Sequence, residues 1–439
     1  MLELDDAVLR DDIALATRAH YRGTVSRVSG MLVEAVGIPA AIGELCRIDR
    51  GVRGGVEAEV VGFRGQHTLL MPHGDLHGIA PEQHVTSLGR SFTIQVGTHL
   101  LGASLDGFGR PLPGNHVDPA HPRAVTLPVH REPPPALSRP LIRETMPTGV
   151  RAIDGLTTLG KGQRLGIFAG SGVGKSTLLG QVTRGTDADV IVVCLVGERG
   201  REVRDFLDEV LDEESRKKSI AVVATSDRAP NERFLAPFVA VTIAEHFRDL
   251  GLDVMVVMDS VTRFAAASRE IGLAAGEPPT VRGYPPSFFA TVPKLVERMG
   301  TSERGSITGL LTILLDADDP NDPVSDTLRG LLDGHLYLSR DLANRGHFPA
   351  IDVLASLSRL MTKVTTPEHQ ALAFQLREDL GEYEKGRELV EIGAYKAGTN
   401  PRLDAAMVRV GTIEAFCRQQ TAETTSFADT VAMLGMIYG

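Results

Sequence analysis

The chain has few cysteines, no long apolar run and no excess of positive charge. Its 439 residues include three cysteines, Cys46, Cys194 and Cys417, which are far apart and form no metal-binding spacing. This usage predicts buried, reduced thiols rather than a disulfide framework. The absence of any run of eighteen apolar residues predicts no membrane-spanning helix. The net charge of −10 argues against nucleic-acid binding over the whole surface, although a local basic channel could exist without changing the sign of the net charge.

The first twenty residues also lack the character of a secretory signal, because they carry five acidic residues among their apolar ones. Apolar positions spaced through these acids predict a short amphipathic helix over 1–20. Such a helix would pack on its own domain or dock a partner.

Three further segments follow, and together they predict an α/β protein. Short alternating runs broken by glycines, over about 23–88, predict a β-barrel domain at 21–92. Apolar runs separated by helical stretches predict a parallel sheet in a nucleotide-binding domain at 93–366. A proline-rich connector at 111–140 belongs to that domain. Long helical patterns, at 370–389 and 405–420, predict a helical C-terminal domain at 367–439.

A phosphate-binding loop follows the apolar run at 165–168 and opens a helix. Its glycines allow a tight turn that aims backbone N–H groups at one point, Lys175 supplies a cation for the phosphates, and the Ser176 hydroxyl can ligate Mg²⁺. The usual first glycine is replaced by an alanine. The residues predicted to cradle the nucleotide are Ala169, Gly170, Ser171, Gly172, Val173, Gly174, Lys175, Ser176 and Thr177.

Two carboxylates follow buried strands and complete a hydrolase pattern. Asp259 ends the apolar run 254–258, where it can support the magnesium shell. Glu198 follows the run 190–196, where it can orient and polarise the attacking water. Surface ion pairing is the alternative reading of the charged segment 197–202. Arg359, after the apolar stretch 351–354, is the candidate for the positive charge that hydrolysis needs against the γ-phosphate.

These segments resemble the catalytic subunits of hexameric rotary-type ATPases, and within them most closely the ATPase of bacterial type III protein export, flagellar or injectisome. Ala169 matches the usual loop of that family. Many motifs occur in the same order over most of the chain, which makes the resemblance specific. They are the phosphate-binding loop and residues 149–156, 197–201, 258–264, 277–279, 283–289, 318–323, 332–335, 346–352 and 358–359.

The resemblance implies an N-terminal β-barrel, a central RecA-like P-loop ATPase domain and a C-terminal helical domain, with ATP and Mg²⁺ as cofactors. It implies that Arg199 and Arg263 are phosphate-side charges and that Arg359 is an arginine finger reaching the neighbouring subunit's site. Asp259 would act on Mg²⁺ through water, and Phe348 would present its ring to the adenine, with core packing as the alternative for that ring.

The same resemblance implies a cytoplasmic homohexamer, peripheral at the inner-membrane export apparatus, that binds no nucleic acid. Its partners would be a stator-like regulatory protein on the N-terminal segment, a coiled-coil stalk in the pore, export chaperone–substrate complexes and the membrane export gate. Flagellar export is the first expectation, and injectisome secretion is the alternative.

More remote alternatives are the catalytic subunit of an ion-translocating ATP synthase, a Rho-like RNA translocase and a scaffold that binds ATP without hydrolysis. The segment 197–203 resembles the export family more than the synthases. The barrel has few aromatics, Phe63 being the clearest, and carries acids where RNA binding would need basic residues. Glu198 argues against a scaffold without turnover.

Overall fold

The barrel is the first part of the chain that the structure, a computed structural model, describes; the described residues are 22–115, 117–118, 121–315 and 322–439. The helix expected at 1–20 lies outside them. Alternation of buried and exposed side chains along each strand gives the barrel an apolar interior. Pairing of the first strand with the sixth closes it, in the order β1-β2-β5-β4-β3-β6. The strands are β1 (Arg22–Ser29), β2 (Leu32–Val36), β3 (Glu44–Asp49), β4 (Gly55–Arg64), β5 (His67–Pro72) and β6 (His84–Ser91).

The central domain is built on a sheet in the order β17-β16-β10-β15-β13-β11-β12-β8. Seven of these strands are parallel, β17 runs antiparallel to β16, and the short β14 pairs antiparallel with β15. The strands are β8 (Ser104–Asp106), β10 (Arg164–Ala169), β11 (Val190–Val196), β12 (Ser219–Ala224), β13 (Asp253–Asp259), β14 (Gly300–Thr301), β15 (Ser306–Leu314), β16 (Gly334–Leu338) and β17 (Ile351–Ser358). A separate ribbon pairs β7 (Thr93–Val96) with β9 (Val125–Pro128).

Continuous apolar sequence explains why this sheet is central. All seven residues of β11 are buried, which is expected for a parallel strand covered on both faces. One apolar cluster fills each face of the sheet. We call the end at which the seven parallel strands finish the carboxyl end of the sheet, and the opposite end the amino end.

Helices cover both faces of the sheet and form the C-terminal domain. Those of the central domain are α1 (Arg151–Leu156), α2 (Lys175–Gly185), α3 (Gly200–Asp205), α4 (Glu213–Lys217), α5 (Pro230–Asp249), α6 (Val261–Ala275), α7 (Pro286–Glu297), α8 (Pro323–Leu331), α9 (Arg340–Asn344) and α10 (Met361–Val364). Those after them are α11 (Pro367–Glu391), α12 (Pro401–Cys417) and α13 (Phe427–Met436). Within the described ranges, none has the length and apolar character needed to cross a membrane.

The helix expected at 405–420 ends three residues earlier, at Cys417. Arg418 is extended, and Gln419 bonds to the central domain instead of continuing the helix. Its backbone N–H donates to the carbonyl of Phe348 at 2.9 Å, and its side-chain oxygen accepts from the backbone N–H of Arg151 at 2.9 Å. Residues 418–425, which we call the docking loop, therefore tie the C-terminal helices to the nucleotide domain.

Buried polar contacts also join the barrel to the connector. Glu59 of β4 lies 3.1 Å from the ring of His130 and 3.6 Å from the buried ring of His73. Burial alone would raise the pKa of Glu59, but its close contacts with the rings of His130 and His73 outweigh burial and hold the pKa at about 2. The three cysteines are buried free thiols.

Candidate active site

The phosphate-binding loop joins the carboxyl end of β10 to the start of α2. Gly172 (φ 78°) and Gly174 (φ 89°) adopt the left-handed backbone that favours glycine, and Gly174 is the N-cap of α2. No side chain of the described residues caps this helix, whereas Ser260 caps α6 and Thr366 caps α11. The first N–H groups of α2 are therefore available to an anion, as phosphate binding at a helix N-terminus requires.

Lys175, the first residue of α2, contacts two carboxylates that come from other strands. Its Nζ lies 2.5 Å from Oδ1 of Asp259 and 3.6 Å from Oε1 of Glu198. Asp259 ends β13, where it also accepts a hydrogen bond from the hydroxyl of Thr312 at 2.8 Å. Because β10, β11 and β13 are parallel, their carboxyl ends bring these three charged groups into one place.

Glu198 stands just beyond β11 and has a perturbed protonation equilibrium. Burial raises its pKa to about 7, with further upward contributions from a hydrogen bond with the Glu202 carboxyl and from Asp259, against the lowering effect of Lys175. A pKa near neutrality suits a general base at physiological pH. Glu202, in the first turn of α3, was not assigned a role from the sequence. Its only sequence signal is the spacing of four residues from Glu198.

A cavity of about 500 Å³ opens between the loop, the end of β11 and α6. Ser176 and Thr177 line it from α2, Glu198 from the segment after β11, Glu202 from α3, and Arg263 from α6. This volume lies in the usual range of ligand sites. The remaining lining residues are Gly170, Ser171, Gly172, Gly174, Lys175, Gly197, Arg199, Ser226, Leu314 and Leu315.

The two arginines beside this cavity differ in their surroundings. Arg263 packs closely on Gly197, where an added Cβ would meet its side chain at 2.7 Å. Arg199 has a side chain that is 82% exposed, and it pairs with Glu202 at 3.2 Å. Ala169 and Val173 are buried and support the loop rather than line the cavity.

Oxygen donors for a divalent cation are present in the same place. The Ser176 hydroxyl and the carboxylates of Glu202 and Asp259 are the hard ligands that Mg²⁺ prefers, directly or through water. The residues therefore fit a magnesium–nucleotide complex.

Phe348 lies beside the loop, in the segment between α9 and β17. Its ring comes within 3.4 Å of the position of a Cβ added at Gly174. The side chain is not core, because Phe348 is 42% exposed. Its backbone carbonyl receives the Gln419 N–H of the docking loop, so the C-terminal domain helps to fix the ring's position.

Arg359 lies at the amino end of the sheet, away from these groups. Leu338 at the end of β16 pairs with Ile351, and Gly334 at its beginning pairs with Ser358, so β17 runs back to the amino end. Since β16 is parallel to β10, Arg359 is separated from the loop by the length of a strand, about 20 Å at 3.3 Å per residue. One copy of the chain does not bring Arg359 together with its own Lys175.

Comparison with known proteins extends over almost the whole chain. Residues 149–358 match the ATP synthase alpha/beta family, nucleotide-binding domain, and residues 25–89 match the beta-barrel domain of that family. Residues 365–435 match the T3SS EscN ATPase C-terminal domain. The three matches follow the barrel, sheet and helical parts of the fold in order.

Individual relatives agree with these family matches. The Flagellum-specific ATP synthase of Bacillus subtilis (strain 168) is 48% identical over 98% of both chains. The Type 3 secretion system ATPase of Pseudomonas syringae pv. tomato is 48% identical over 93% of this chain and 92% of that protein.

The fold agrees with solved structures of the ATPase EscN from the enteropathogenic E. coli type III secretion system. The assembled ATPase is similar with a TM-score of 0.90 and 43% identity, and its complex with the central stalk EscO with 0.87 and 42%. Both cover 95% of this chain and 100% of the compared one. The chain therefore belongs to the ATP synthase alpha/beta family and, within it, to the ATPases of flagellar and type III secretion systems.

Proposed function

We propose that this ATPase works as a ring of six identical copies in which every active site is shared by two neighbours. One copy contributes the phosphate-binding loop, Glu198 and Asp259, and the next contributes Arg359. The observation that carries the proposal is the placement of Arg359 at the amino end of the sheet, about 20 Å from the loop of its own chain. The assembled state of EscN, a relative at 43% identity, supports it.

Within a shared site, the side chains have separate roles. Lys175 and the N–H groups of the loop bind the phosphates of ATP, while Ser176 and, through water, Asp259 hold Mg²⁺, which neutralises charge on the phosphate oxygens. Glu198 orients the attacking water and accepts its proton, and the protonated Glu198 then donates a hydrogen bond to the Glu202 carboxylate. Arg199, Arg263 and the neighbour's Arg359 stabilise the charge that develops on the transferred phosphoryl group. Phe348 stacks on the adenine.

We assign the hydrolysis to flagellar protein export. The Flagellum-specific ATP synthase, 48% identical over 98% of both chains, supports this process, and a Type 3 secretion system ATPase has the same 48% identity over 93% of this chain. Secretion by an injectisome is the second candidate, supported by the match of residues 365–435 to the T3SS EscN ATPase C-terminal domain. Deletion of the gene separates the two, because loss of swimming with intact effector secretion is expected for the first and the reverse for the second.

The partners we propose follow the same assignment. A coiled-coil stalk enters the pore of the ring, as the EscO complex of EscN supports. A stator-like protein binds the N-terminal segment, and export chaperone–substrate complexes and the membrane export gate contact the ring. The protein then acts in the cytoplasm, peripheral to the inner-membrane export apparatus, without nucleic acid.

Dependence of activity on assembly tests the shared site. Turnover per subunit should rise with protein concentration in parallel with ring formation measured by light scattering, because Arg359 acts only after assembly. Turnover that stays constant while the protein passes from monomer to ring would contradict the proposal. Stimulation of turnover by RNA would instead point to a nucleic-acid translocase.

A further inference from the structure

The backbone that carries Arg359 is held at one point of the amino end of the sheet. The Arg359 N–H donates to the carbonyl of Asp333 at 3.0 Å, where the chain enters β16. The Arg359 side chain is exposed, and its Nη2 contacts the carbonyl of Arg329 at 3.4 Å. The guanidinium is therefore placed mainly by its backbone.

A buried glutamine contacts both Asp333, which accepts the Arg359 N–H, and Ser358, which precedes Arg359. Gln163 precedes β10 and is 0% exposed. Its Nε2 donates to the same Asp333 carbonyl at 3.1 Å and to the hydroxyl of Ser358 at 3.0 Å. Its Oε1 accepts from the Gly160 N–H at 2.9 Å, which fixes the orientation of the amide. Each half of this amide therefore has a partner.

An ion pair fixes the other side of Asp333. Its carboxylate accepts from the backbone N–H and the Nε of Arg164, both at 3.0 Å. Arg164 is also paired with Glu297 of α7 at 2.6 Å. The first residues of the strand that carries the phosphate-binding loop thus hold the turn that carries Arg359.

We propose that Gln163, supported by the Arg164–Asp333 pair, is a positioning residue that sets the arginine finger which one copy presents to the active site of the next. This inference rests on the proposed action of Arg359 in trans. Gln163 touches neither nucleotide nor metal. Gln163 contributes by holding Arg359 accurately in place, because a misplacement of about 1 Å in a catalytic group can lower turnover about 10²-fold.

Mixed rings test the inference, since they separate a subunit's own site from the finger it lends. Lys175→Ala subunits cannot bind phosphate well but present a normal Arg359. Mixed with Arg359→Ala subunits, they should restore activity at the interfaces that combine an intact loop with an intact finger. Gln163→Met keeps the side-chain length and removes the donor. We expect it to lose about 10- to 100-fold in kcat, with unchanged binding of a fluorescent ATP analogue, and to be rescued in the same mixture.

Two more variants keep the test decisive. Ser358→Ala deletes one bond of Gln163 and should give a smaller loss with the same rescue, even if Gln163→Met fails to fold. Gln181→Met is the matched control: Gln181 is also a buried glutamine, but it lies on α2 and donates to Gln420 of the docking loop at 3.0 Å. Any loss that it causes belongs to its own site, so Lys175→Ala subunits should not rescue it.

The outcomes separate the inference from the proposed function. Rescue of Arg359→Ala without rescue of Gln163→Met and Ser358→Ala would overturn the positioning role alone, as would wild-type turnover in both. Failure to rescue Arg359→Ala, with ring formation intact, would overturn the shared site, and the role of Gln163 with it.

Discussion

The two ends of strand β10 hold their functional cations, Lys175 and Arg359, in different ways. At the carboxyl end, Lys175 lies against the carboxylates of Asp259 and Glu198, and the backbone turns on glycines. At the amino end, Arg359 is exposed and makes no ion pair with any described residue, while the Gln163 amide, the Ser358 hydroxyl and the Arg164–Asp333 pair fix the backbone around it.

The difference shows how one chain can serve two sites. A group that binds its ligand within its own chain can be held by internal charges until the ligand arrives. A group that acts on another chain has to remain at the surface without an ion-pair partner. Its position must therefore be fixed by the backbone that carries it. Changes at the two ends should therefore reduce turnover in distinguishable ways.

The largest effect is expected at the amino end. Arg359→Ala should lower kcat about 10³-fold or more, as loss of an arginine finger does, with ATP binding and ring formation retained. Steady-state phosphate release above the assembly concentration measures it. Arg304→Ala is the matched control, because Arg304 is exposed at the same end of the sheet and also donates to a backbone carbonyl, that of Asp249 at 3.2 Å. Equal losses in both variants would contradict the assignment.

At the carboxyl end, Glu198→Gln should lower kcat about 10²- to 10⁴-fold, the usual contribution of a general base, while an ATP analogue still binds. Single-turnover hydrolysis measures the chemical step directly. Glu213→Gln, at an exposed glutamate in a surface pair with Lys217, should be unaffected. Near-normal turnover in Glu198→Gln would remove this residue from the base role.

A change far from both ends should alter stability instead of catalysis. Because the pKa of Glu59 is about 2 in the folded chain against an ordinary 4.5, its ionised form contributes about 3 kcal/mol at neutral pH. That contribution is present above pH 4.5 and is lost as the pH falls toward 2. Glu59→Gln should therefore lower the free energy of unfolding by about 3 kcal/mol at pH 7 and flatten its acid dependence, as urea titrations at several pH values would show.

Glu57→Gln is the control on the same strand. Glu57 pairs with Arg90 at the surface and should contribute less than about 1 kcal/mol. An equal loss in both variants would mean that the buried histidine contacts do not determine the effect.

The smallest effect is expected at the adenine. Phe348→Ala should raise the KM for ATP about tenfold, since stacking of a base on an aromatic ring is worth about 1–3 kcal/mol, with a much smaller change in kcat. Phe348→Tyr should stay near wild type, and Phe374→Ala, at an exposed ring on α11, should change nothing. A fall in kcat without a change in KM would place Phe348 in the chemistry rather than in binding.

Local patterns in the sequence predict much of the carboxyl end. The run 190–196 coincides with β11. Each charged group predicted there lies at or shortly beyond the carboxyl end of a buried parallel strand, so parallel topology brings Lys175, Glu198 and Asp259 together. The sequence does not predict a role for Glu202, because its closeness to Glu198 depends on how the chain turns into α3. The charged residues at 197–202 do not specify that turn.

Contacts between distant segments could not be predicted. The end of α12 at Cys417 depends on bonds that Gln419 makes to residues about 270 positions earlier, such as Gly149. Gln163 gives no signal either, because a single amide before a strand acquires a role only when Asp333 and Ser358 fold against it. The helix expected at 1–20 stays a prediction.

The position of Arg359 has a consequence for copies that have not yet assembled. In the proposed ring, a single copy carries half of one active site at the carboxyl end of its sheet and half of another at the amino end. Copies present below the concentration at which rings form would then consume almost no ATP.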